Sequence, residues 1–377
     1  MPPMQAAPQG FPFALGSRRV IDRIFSGAFT PGGAQIPVDL DKDGYLVGLI
    51  LRLSGTYTVV AATPGPKAGF PFDYFGRIQL DLPGLNDPIS LSGSMLKYQN
   101  LAGKDLSLFG SGGGIGPMFD TDQVAAIFGQ NADYLLVAAD AAPVAVAANV
   151  WNLLLYLPVA HNDRDLRGCI PLGNSSTATL RVTPGADADL VATPANHSAS
   201  ALILDVFQVK YTAQPGGVEA PDTTWAVVFD QYDEPVVSVG DKVIDIPLDG
   251  VILNVMHSFR NVDTAYPIAS TRAAQLSALS FRVNRDKLWD AVPLAAKLIE
   301  QNAGRTIPYP AGLIVHDGDQ RQAGVPFMDE NGDERIPGWI FSNAPGMTEI
   351  KSTLTVPAGA TLTNARIVTS VKRLMRV

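Results

Sequence analysis

Histidines and clustered carboxylates are the side chains of this sequence that could bind a metal ion or transfer a proton. The sequence has four histidines: His161, His197, His257 and His316. None is spaced as H-E-x-x-H or H-x3-H, so no zinc site is predicted and a structural role is favoured for each. His161 stands near Asp163 and Asp165, a set that could serve acid-base catalysis. No nucleophile can be assigned within its reach, which favours an ordinary charged turn.

Two acidic segments could bind a hard cation such as calcium. The first, Asp39 to Gly44, begins like an EF-hand loop, but its twelfth position holds Ile50 instead of the bidentate glutamate. The second, Asp329 to Glu334, clusters carboxylates without that spacing. An EF-hand is therefore rejected. We interpret both segments as solvated acidic turns, with a loose calcium site as the alternative.

Three other features could carry chemistry or contacts. The glycine run at 110–116 does not match a phosphate-binding loop and indicates a flexible loop. The single cysteine, Cys169, has apolar neighbours, which predicts a buried and unreactive thiol. The aromatic cluster from Phe70 to Phe75 is predicted to lie in a subunit interface. No catalytic residue, cofactor site or metal ligand is predicted, and the chain is predicted not to be an enzyme.

The composition is typical of a turn-rich β protein with more than one domain. The chain has 377 residues, whereas one hydrophobic core rarely extends beyond about 250–300 residues. Hydrophobic residues make up 46% and charged residues 17%, with 35 Gly and 29 Pro, which favours an all-β fold. The net charge of −8 argues against sequence-specific binding of nucleic acid.

The N-terminal segment, residues 1–16, predicts an extended arm. It is rich in proline and lacks the basic n-region and apolar core of a signal peptide. No later stretch reaches the roughly 18 uninterrupted apolar residues of a membrane-spanning helix. The sequence therefore predicts a soluble protein that is synthesised in a cytoplasm.

Short strands recur along the chain, and two helices interrupt them. Polar and apolar residues alternate in five segments, which predicts strands with one buried face. These segments are 77–82, 179–182, 207–211, 279–283 and 353–356. Apolar residues at helical spacing predict a helix from Leu91 to Gly103 and another from Pro293 to Gly304, each following a strand.

Five pairs of similar segments occur in the same order in the two halves, which indicates an internal repeat. The first pair is Ile36-Pro37 followed by Asp43-Gly44, with Ile246-Pro247 followed by Asp249-Gly250. The others are Ile78 with Leu279, the helix ends at 99–103 with 301–304, Leu180 with Leu354, and Val209-Lys210 with Val371-Lys372. The first half has extra residues after its helix, which predicts a long loop insertion at about 105–147. A Pro/Gly-rich linker at 214–221 divides the halves into 17–213 and 222–377.

This duplicated layout resembles the double jelly-roll major capsid proteins of tailless, membrane-containing icosahedral double-stranded DNA viruses such as the tectiviruses. The segment Asp165 to Asn174, which contains Arg167-Gly168 and Ile170-Pro171-Leu172, is similar to a run in the first jelly roll of that family. The resemblance implies two tandem jelly-roll barrels or sandwiches with short flanking helices.

The resemblance also implies a function and partners. It implies a major capsid protein that self-assembles as trimeric, pseudo-hexagonal capsomers into an icosahedral virion shell after synthesis in the host cytoplasm. Neighbouring capsomers, vertex or penton proteins and minor capsid proteins would be partners. Basic residues near both termini could contact an inner lipid membrane. These are Arg18, Arg19, Lys372, Arg373 and Arg376.

Two other functions remain open from the sequence. Jelly rolls also occur in lectins and hydrolases, so the chain could bind or process carbohydrate. That function would need an aromatic groove with a pair of carboxylates, and no such pair can be placed. The second alternative is a minor vertex or spike protein of the same type of virus.

Overall fold

The computed structural model describes residues 17–59, 69, 71–82, 85–103, 146–161, 166–174, 178–190, 194–213, 221, 223–260, 276–291, 313–317, 327–328, 334–335, 340–342, 344–362 and 364–376. Nearly all of the regular structure in these ranges is β-strand, as the composition predicts. The strands form two consecutive units, which we call the first unit and the second unit.

The first unit contains nine strands: β1 (Ser17–Ala28), β2 (Ile36–Asp39), β3 (Tyr45–Val59), β4 (Phe75–Leu82), β5 (Leu85–Leu91), β6 (Val146–Pro158), β7 (Ile170–Pro171), β8 (Thr179–Pro184) and β9 (His197–Ala213). It also contains helices α1 (Gly93–Gly103) and α2 (Asp187–Leu190). Helix α1 confirms the first predicted helix.

The second unit contains eleven strands in the described ranges: β10 (Trp225–Pro235), β11 (Gly240–Asp245), β12 (Val251–Arg260), β13 (Ala278–Val283), β14 (Asp286–Ala291), β15 (Leu313–Asp317), β16 (Phe327–Met328), β17 (Glu334–Arg335), β18 (Ile340–Phe341), β19 (Ile350–Val356) and β20 (Arg366–Arg376). Strands β16 and β17 pair only with each other in the described part of the chain.

The two units have the same strand order in space. In the first unit one sheet has the order β1-β9-β3-β6, and the facing strands have the order β2-β8-β4-β5. The corresponding orders in the second unit are β10-β20-β12-β15 and β11-β19-β13-β14. Each set of four interleaves early and late strands of its unit, as a jelly roll does. The tandem double jelly roll predicted from the sequence is confirmed.

Alternation explains which faces are buried. In β4, burial falls on Ile78, Leu80 and Leu82, and in β19 it falls on every second residue. Strand β12 differs, because all ten of its residues are buried. Its nearly continuous apolar run, VILNVM, is typical of a strand that is covered on both faces.

The positions and registers of the facing strands correct two of the five predicted pairings. Ile36 lies inside β2, whereas Ile246 follows the end of β11, so these two residues are not equivalent. The hairpins β4–β5 and β13–β14 make Ile78 equivalent to Leu279, as predicted. Ile78 pairs with Val182 and Leu279 pairs with Leu354, so Val182 rather than Leu180 is equivalent to Leu354. The physical reason is the two-residue period of a strand, because a shift by two residues leaves the buried face unchanged.

Several predicted features lie outside the described residues. They are the arm at 1–16, the glycine run at 110–116, the second helix from Pro293 to Gly304, Asp163 with Asp165, and residues 329–333 of the second acidic segment. The insertion at about 105–147 lies outside them up to the first residues of β6, and the linker at 214–221 up to its last residue. Both therefore stay predictions. No helix of the described residues is long and apolar enough to span a membrane.

Candidate functional site

The two units meet along a seam that contains backbone, polar and apolar contacts. Strand β5 of the first unit pairs in parallel with β10 of the second unit, with Ile89 opposite Phe229. This pairing joins half of each unit into one nine-stranded sheet. The seam therefore contains backbone hydrogen bonds as well as side-chain packing.

Apolar side chains of the second unit extend the core of the first unit across this seam. One buried cluster includes Leu80 and Met95 of the first unit together with Phe229, Leu253 and Met256 of the second unit. The opposite face of the β10-β20-β12-β15 sheet packs on a separate core, which contains Phe259 and Phe281. One face of this sheet is thus buried against the other unit, which explains the burial of β12 on both faces.

Helix α1 supplies polar contacts to the seam. Gln99 Nε2 donates to Ser370 Oγ of β20 at 3.0 Å, and both side chains are buried. The Ser92 backbone N–H, next to the helix, donates to Gln231 Oε1 of β10 at 2.7 Å. Lys97 of the helix is fully buried, with its Nζ 5.2 Å from the centroid of the Phe72 ring. These contacts fix the helix between the units.

An ion pair connects the units beside the start of α1. Arg260 of β12 donates to Asp73 Oδ2 at 3.1 Å and to Ser94 Oγ at 2.7 Å. The other carboxylate oxygen of Asp73 accepts the backbone N–H of Ser94 at 2.9 Å, as a helix N-cap does. The Arg260 side chain is 7% exposed and that of Asp73 is 16% exposed, so the pair is shielded from solvent. Removing either partner would leave a charge buried without its counter-charge.

Each unit has a buried cation at the same position of its last strand. In the first unit, Lys210 Nζ lies 2.5 Å from Asp43 Oδ1, 3.4 Å from Asp41 Oδ2 and 3.2 Å from Asp22 Oδ2. Burial alone would lower the pKa of Lys210, but the hydrogen bonds that it donates to Asp43 and Asp22, together with the charge of the nearby carboxylates, raise it above its ordinary value. Lys210 therefore stays charged.

The second unit builds the equivalent cluster from Arg373, which binds Asp230 and Asp249. In each unit the cation lies on the last strand, one acid on the first strand, and another directly before a turn glycine. The turn glycines, Gly44 and Gly250, have φ of +76° and +83°, and a Cβ at either would meet a carbonyl oxygen of the last strand. These paired clusters connect three segments of each jelly roll.

This geometry corrects the predicted equivalence of Lys210 with Lys372. Strand β9 pairs Lys210 with Leu46, and β20 pairs Arg373 with Ile252, in each case directly before a bulge in the partner strand. Lys210 is therefore equivalent to Arg373, one residue later than predicted. A shift by one residue moves a side chain to the other face of the strand. Arg373 therefore lies on the face of the ion cluster, and Lys372 lies on the opposite face of β20.

The structure also corrects the predicted lipid-facing role of two basic residues. Lys372 is 3% exposed and Arg373 is 4% exposed, so neither can reach a lipid headgroup. Arg373 is held by its two carboxylates, and Lys372 Nζ lies 5.8 Å from the centroid of the Phe229 ring. Arg18 and Arg376 are exposed and remain available for such contacts.

The predicted interface cluster at 70–75 is wrong for the residues that the structure describes. Phe72, Tyr74 and Phe75 are at most 1% exposed and belong to the core of the first unit. Tyr74 donates its hydroxyl hydrogen to Asp187 Oδ1 at 2.7 Å. Aromatic residues next to proline and glycine suggested a surface, but the short 3₁₀ turn over Phe72–Tyr74 directs them into the core.

Other candidate residues take structural positions. Cys169 is buried in an apolar cluster with Tyr156 and Val209. The carboxylates of Asp41 and Asp43 contact Lys210, and Asp39 accepts a hydrogen bond from the Thr179 hydroxyl.

The described histidines differ in their surroundings. His161 is buried, and His197 begins β9. His257 Nδ1 lies 2.9 Å from Thr369 Oγ1, and the His316 ring stacks on Phe281 with centroids 4.2 Å apart. Burial lowers the pKa of His257 to about 3, with His316 contributing, and burial lowers the pKa of His316 to about 4. Both imidazoles are therefore neutral at pH 7.

One groove beside the seam tests the carbohydrate alternative. It encloses about 1020 Å³ and is lined by Asp73, Asp189, Asp233 and apolar residues. Among the described residues that line it, none is aromatic, so these residues provide no stacking surface for a sugar. Two of its carboxylates are engaged, because Asp73 pairs with Arg260 and Asp233 pairs with Arg366.

These features define the class of the fold, a double jelly roll whose units share one sheet and one buried seam. A scan against protein-family models and a search of curated proteins gave no match. Among solved structures, the fold is similar to those of virus major capsid proteins.

Three solved structures illustrate the likeness. The STIV major capsid protein has a TM-score of 0.61 at 14% identity, and the match covers 95% of this chain and 96% of that one. PBCV-1 VP54, fitted into a reconstruction of the virophage Sputnik, has a TM-score of 0.60 at 9% identity, covering 98% and 96%. A chain of the atomic structure of Sulfolobus Turreted Icosahedral Virus has a TM-score of 0.58 at 16% identity, covering 94% and 90%. Nearly the whole length of each chain shares the fold.

Proposed function

We propose that this chain is a major capsid protein that assembles as trimeric, pseudo-hexagonal capsomers of an icosahedral shell. The observation that carries the proposal is the pair of jelly rolls with one strand order, joined by a continuous sheet. Three such chains place six similar units around one axis while keeping three-fold symmetry. The solved structures of similar fold are shell proteins, which supports a structural rather than an enzymatic role.

The seam suits this role because it makes the two units one rigid block. Parallel strand pairing, a shared apolar core, helix α1 and the Arg260–Asp73 ion pair all oppose movement between the units. A lattice of identical subunits requires each block to present its contact surfaces at fixed angles. Obligate interfaces of such assemblies typically bury about 2,000 Å² or more.

The first experiment is the solution mass of the full chain by size-exclusion chromatography with light scattering, across a range of concentrations. A species near three times 40.0 kDa is expected, followed by hexagonal capsomers or shells in electron micrographs. A monomer of 40.0 kDa at every concentration would overturn the proposal. Binding on a glycan array by that monomer would favour the carbohydrate alternative.

We also propose a contact with an inner lipid membrane, made by fewer basic residues than the sequence predicted. Of the five basic residues near the termini, Arg18 and Arg376 are exposed in the structure. Each charge near an anionic surface contributes about 1 kcal/mol, so the expected binding is weak for one chain and adds up over an assembled shell. Cosedimentation with anionic vesicles at low and high salt tests it, and the double variant Arg18→Gln/Arg376→Gln should abolish the binding. Binding that survives this change, or high salt, would contradict the proposal.

A further inference from the structure

A small apolar cavity opens at the seam near the beginning of β10, whereas the groove described above lies near the end of that strand. The cavity encloses about 190 Å³ and is lined by residues of both units. Among the described residues that line it, none is charged, and Thr223 alone carries a hydroxyl group. An apolar cavity of about 150 Å³ is known to stay dry and to bind benzene. The seam cavity is therefore large enough for an apolar group of about six carbon atoms.

Three parts of the chain form the walls of this cavity. They are the β4–β5 hairpin, which contributes Ile89, the segment 168–171, and the beginning of β10, which contributes Trp225 and Val227. Gly168 allows the second wall to approach the third, because its φ is +86° and a Cβ there would lie 2.8 Å from Val227 Cγ2. Ile89 and Val227 are at most 3% exposed and belong to the core that both units share. The cavity is thus preformed by packed residues.

A cation lies at the mouth of the cavity. Trp225 is partly exposed and stands directly opposite Arg376 in the β10–β20 pair. Residues directly opposite each other in an antiparallel pair lie on the same face of the sheet, with Cβ atoms about 4.5–5.5 Å apart. Arg376 is exposed, so its guanidinium is available to an anion beside the Trp225 ring.

We propose that this cavity binds the hydrocarbon chain of a free fatty acid and that Arg376 binds the carboxylate at the mouth. Ligand pockets are typically apolar, lie between domains and contain a few polar groups that fix the orientation of the ligand. The lining accounts for the chain, and a guanidinium can bind a carboxylate through two parallel hydrogen bonds. This binding does not depend on the assembly proposed above.

Isothermal titration calorimetry of the full chain with three ligands separates the two contributions. Sodium octanoate is expected to bind at one site per chain, and 1-octanol, which has the same chain without the charge, about fivefold more weakly. Sodium acetate, which has the charge without the chain, is expected not to bind. Absence of saturable octanoate binding would overturn the proposal. Equal binding of acetate and octanoate would also overturn it, because it would show attraction by surface charge alone.

Arg376→Gln tests the role of the cation, and Arg18→Gln is its matched control. Both arginines are exposed near a terminus of the chain, but Arg18 lies on β1 opposite Thr212. Arg376→Gln should weaken octanoate binding about fivefold and leave octanol binding unchanged. Arg18→Gln should change neither. Equal weakening by the two variants would reject a specific contact with Arg376.

Tryptophan quenching locates the ligand without relying on a loss of affinity. The chain has four tryptophans, of which Trp225 lines the cavity. Sodium 8-bromooctanoate, whose bromine quenches tryptophan on contact, should quench the wild type, and excess octanoate should reverse this quenching. The quenching should be lost in Trp225→Phe and kept in Trp289→Phe, a variant of β14. Equal quenching of both variants would place the ligand elsewhere.

A bilayer lipid is the other possible source of an acyl chain, and vesicles distinguish it from a free fatty acid. The full chain is mixed with anionic phospholipid vesicles that carry one brominated chain per lipid and contain no free fatty acid. Trp225 should not be quenched by these vesicles under conditions in which 8-bromooctanoate quenches it. Quenching by the vesicles and not by the free acid would overturn the proposal and assign the cavity to a membrane lipid.

Discussion

Lowering the pH from 7.5 to 5.0 is expected to destabilise the second unit through two imidazoles, those of the buried His257 and the partly buried His316. Both pack inside the unit, His257 against the Thr369 hydroxyl and His316 on the Phe281 ring. Their pKa values in the folded chain are about 3 and about 4. Both imidazoles therefore stay mostly neutral in the folded chain at pH 5.

The sign and size follow from linkage. A histidine in the unfolded chain has a pKa of about 6.5, so at pH 5 the unfolded chain binds protons that the folded core does not. Stability is therefore lost as the pH falls below about 6.5, and the loss continues until the folded-state pKa values are reached. Each imidazole should cost about 2 kcal/mol at pH 5 relative to pH 7.5, or about 4 kcal/mol together.

Urea unfolding at both pH values checks this expectation in the wild type and in His257→Gln/His316→Phe. The phenylalanine preserves the ring stack on Phe281, and neither replacement titrates. Between pH 7.5 and 5.0, the free energy of unfolding should fall by about 4 kcal/mol more in the wild type than in the variant. Carboxylates titrate in both proteins and cancel in the difference. Equal losses in the two proteins would refute the assignment of neutral, buried imidazoles.

Three further changes test the ion clusters, the turn glycines and the seam. Arg373→Met should lower the free energy of unfolding by about 3–5 kcal/mol because it leaves the carboxylates of its cluster without their cation. The control Arg366→Met breaks a pair in which both side chains are 46% exposed, and it should cost less than about 1 kcal/mol. Similar urea midpoints for the two variants would contradict the role of burial. Gly250→Ala should lower the melting temperature by several degrees because its φ is +83° and a Cβ would collide with the Leu374 carbonyl oxygen, while Gly173→Ala, with open space around its Cβ, should not change it. Phe229→Ala should destabilise both units in one calorimetric transition, since its ring belongs to their common core, and two separated transitions would show that the units unfold independently.

Strand periodicity and the order of similar segments were sufficient to predict the duplicated fold from the sequence. The alternation in β4, β8, β13 and β19 matches their burial, because each of these strands has one face on a core. Strand β9 departs from this pattern, since Gln208 and Lys210 are buried as well as their apolar neighbours. Gln208 accepts the Asp41 backbone N–H, and Lys210 binds carboxylates, so both polar residues are satisfied inside the unit.

The seam and the ion clusters could not be predicted in the same way. The partners of Lys210 come from β1 and from the turn before β3, more than 160 residues away along the chain. Alternation assigns a residue to a face but does not say what covers that face, and it is unchanged by a shift of two residues. The aspartate directly before a turn glycine, repeated as Asp43-Gly44 and Asp249-Gly250, was a local signal that pointed to the correct equivalence of the two ion clusters.

Joining two jelly rolls in one chain changes the cost of building a six-unit ring. Six separate units would need five association steps, whereas three chains with a preformed seam need two. Each association step costs about 4–15 kcal/mol in lost translational and rotational freedom, so the fused chain avoids three such costs. Phe229, which is fully buried where β10 pairs with β5, fits a seam that is already formed in every chain.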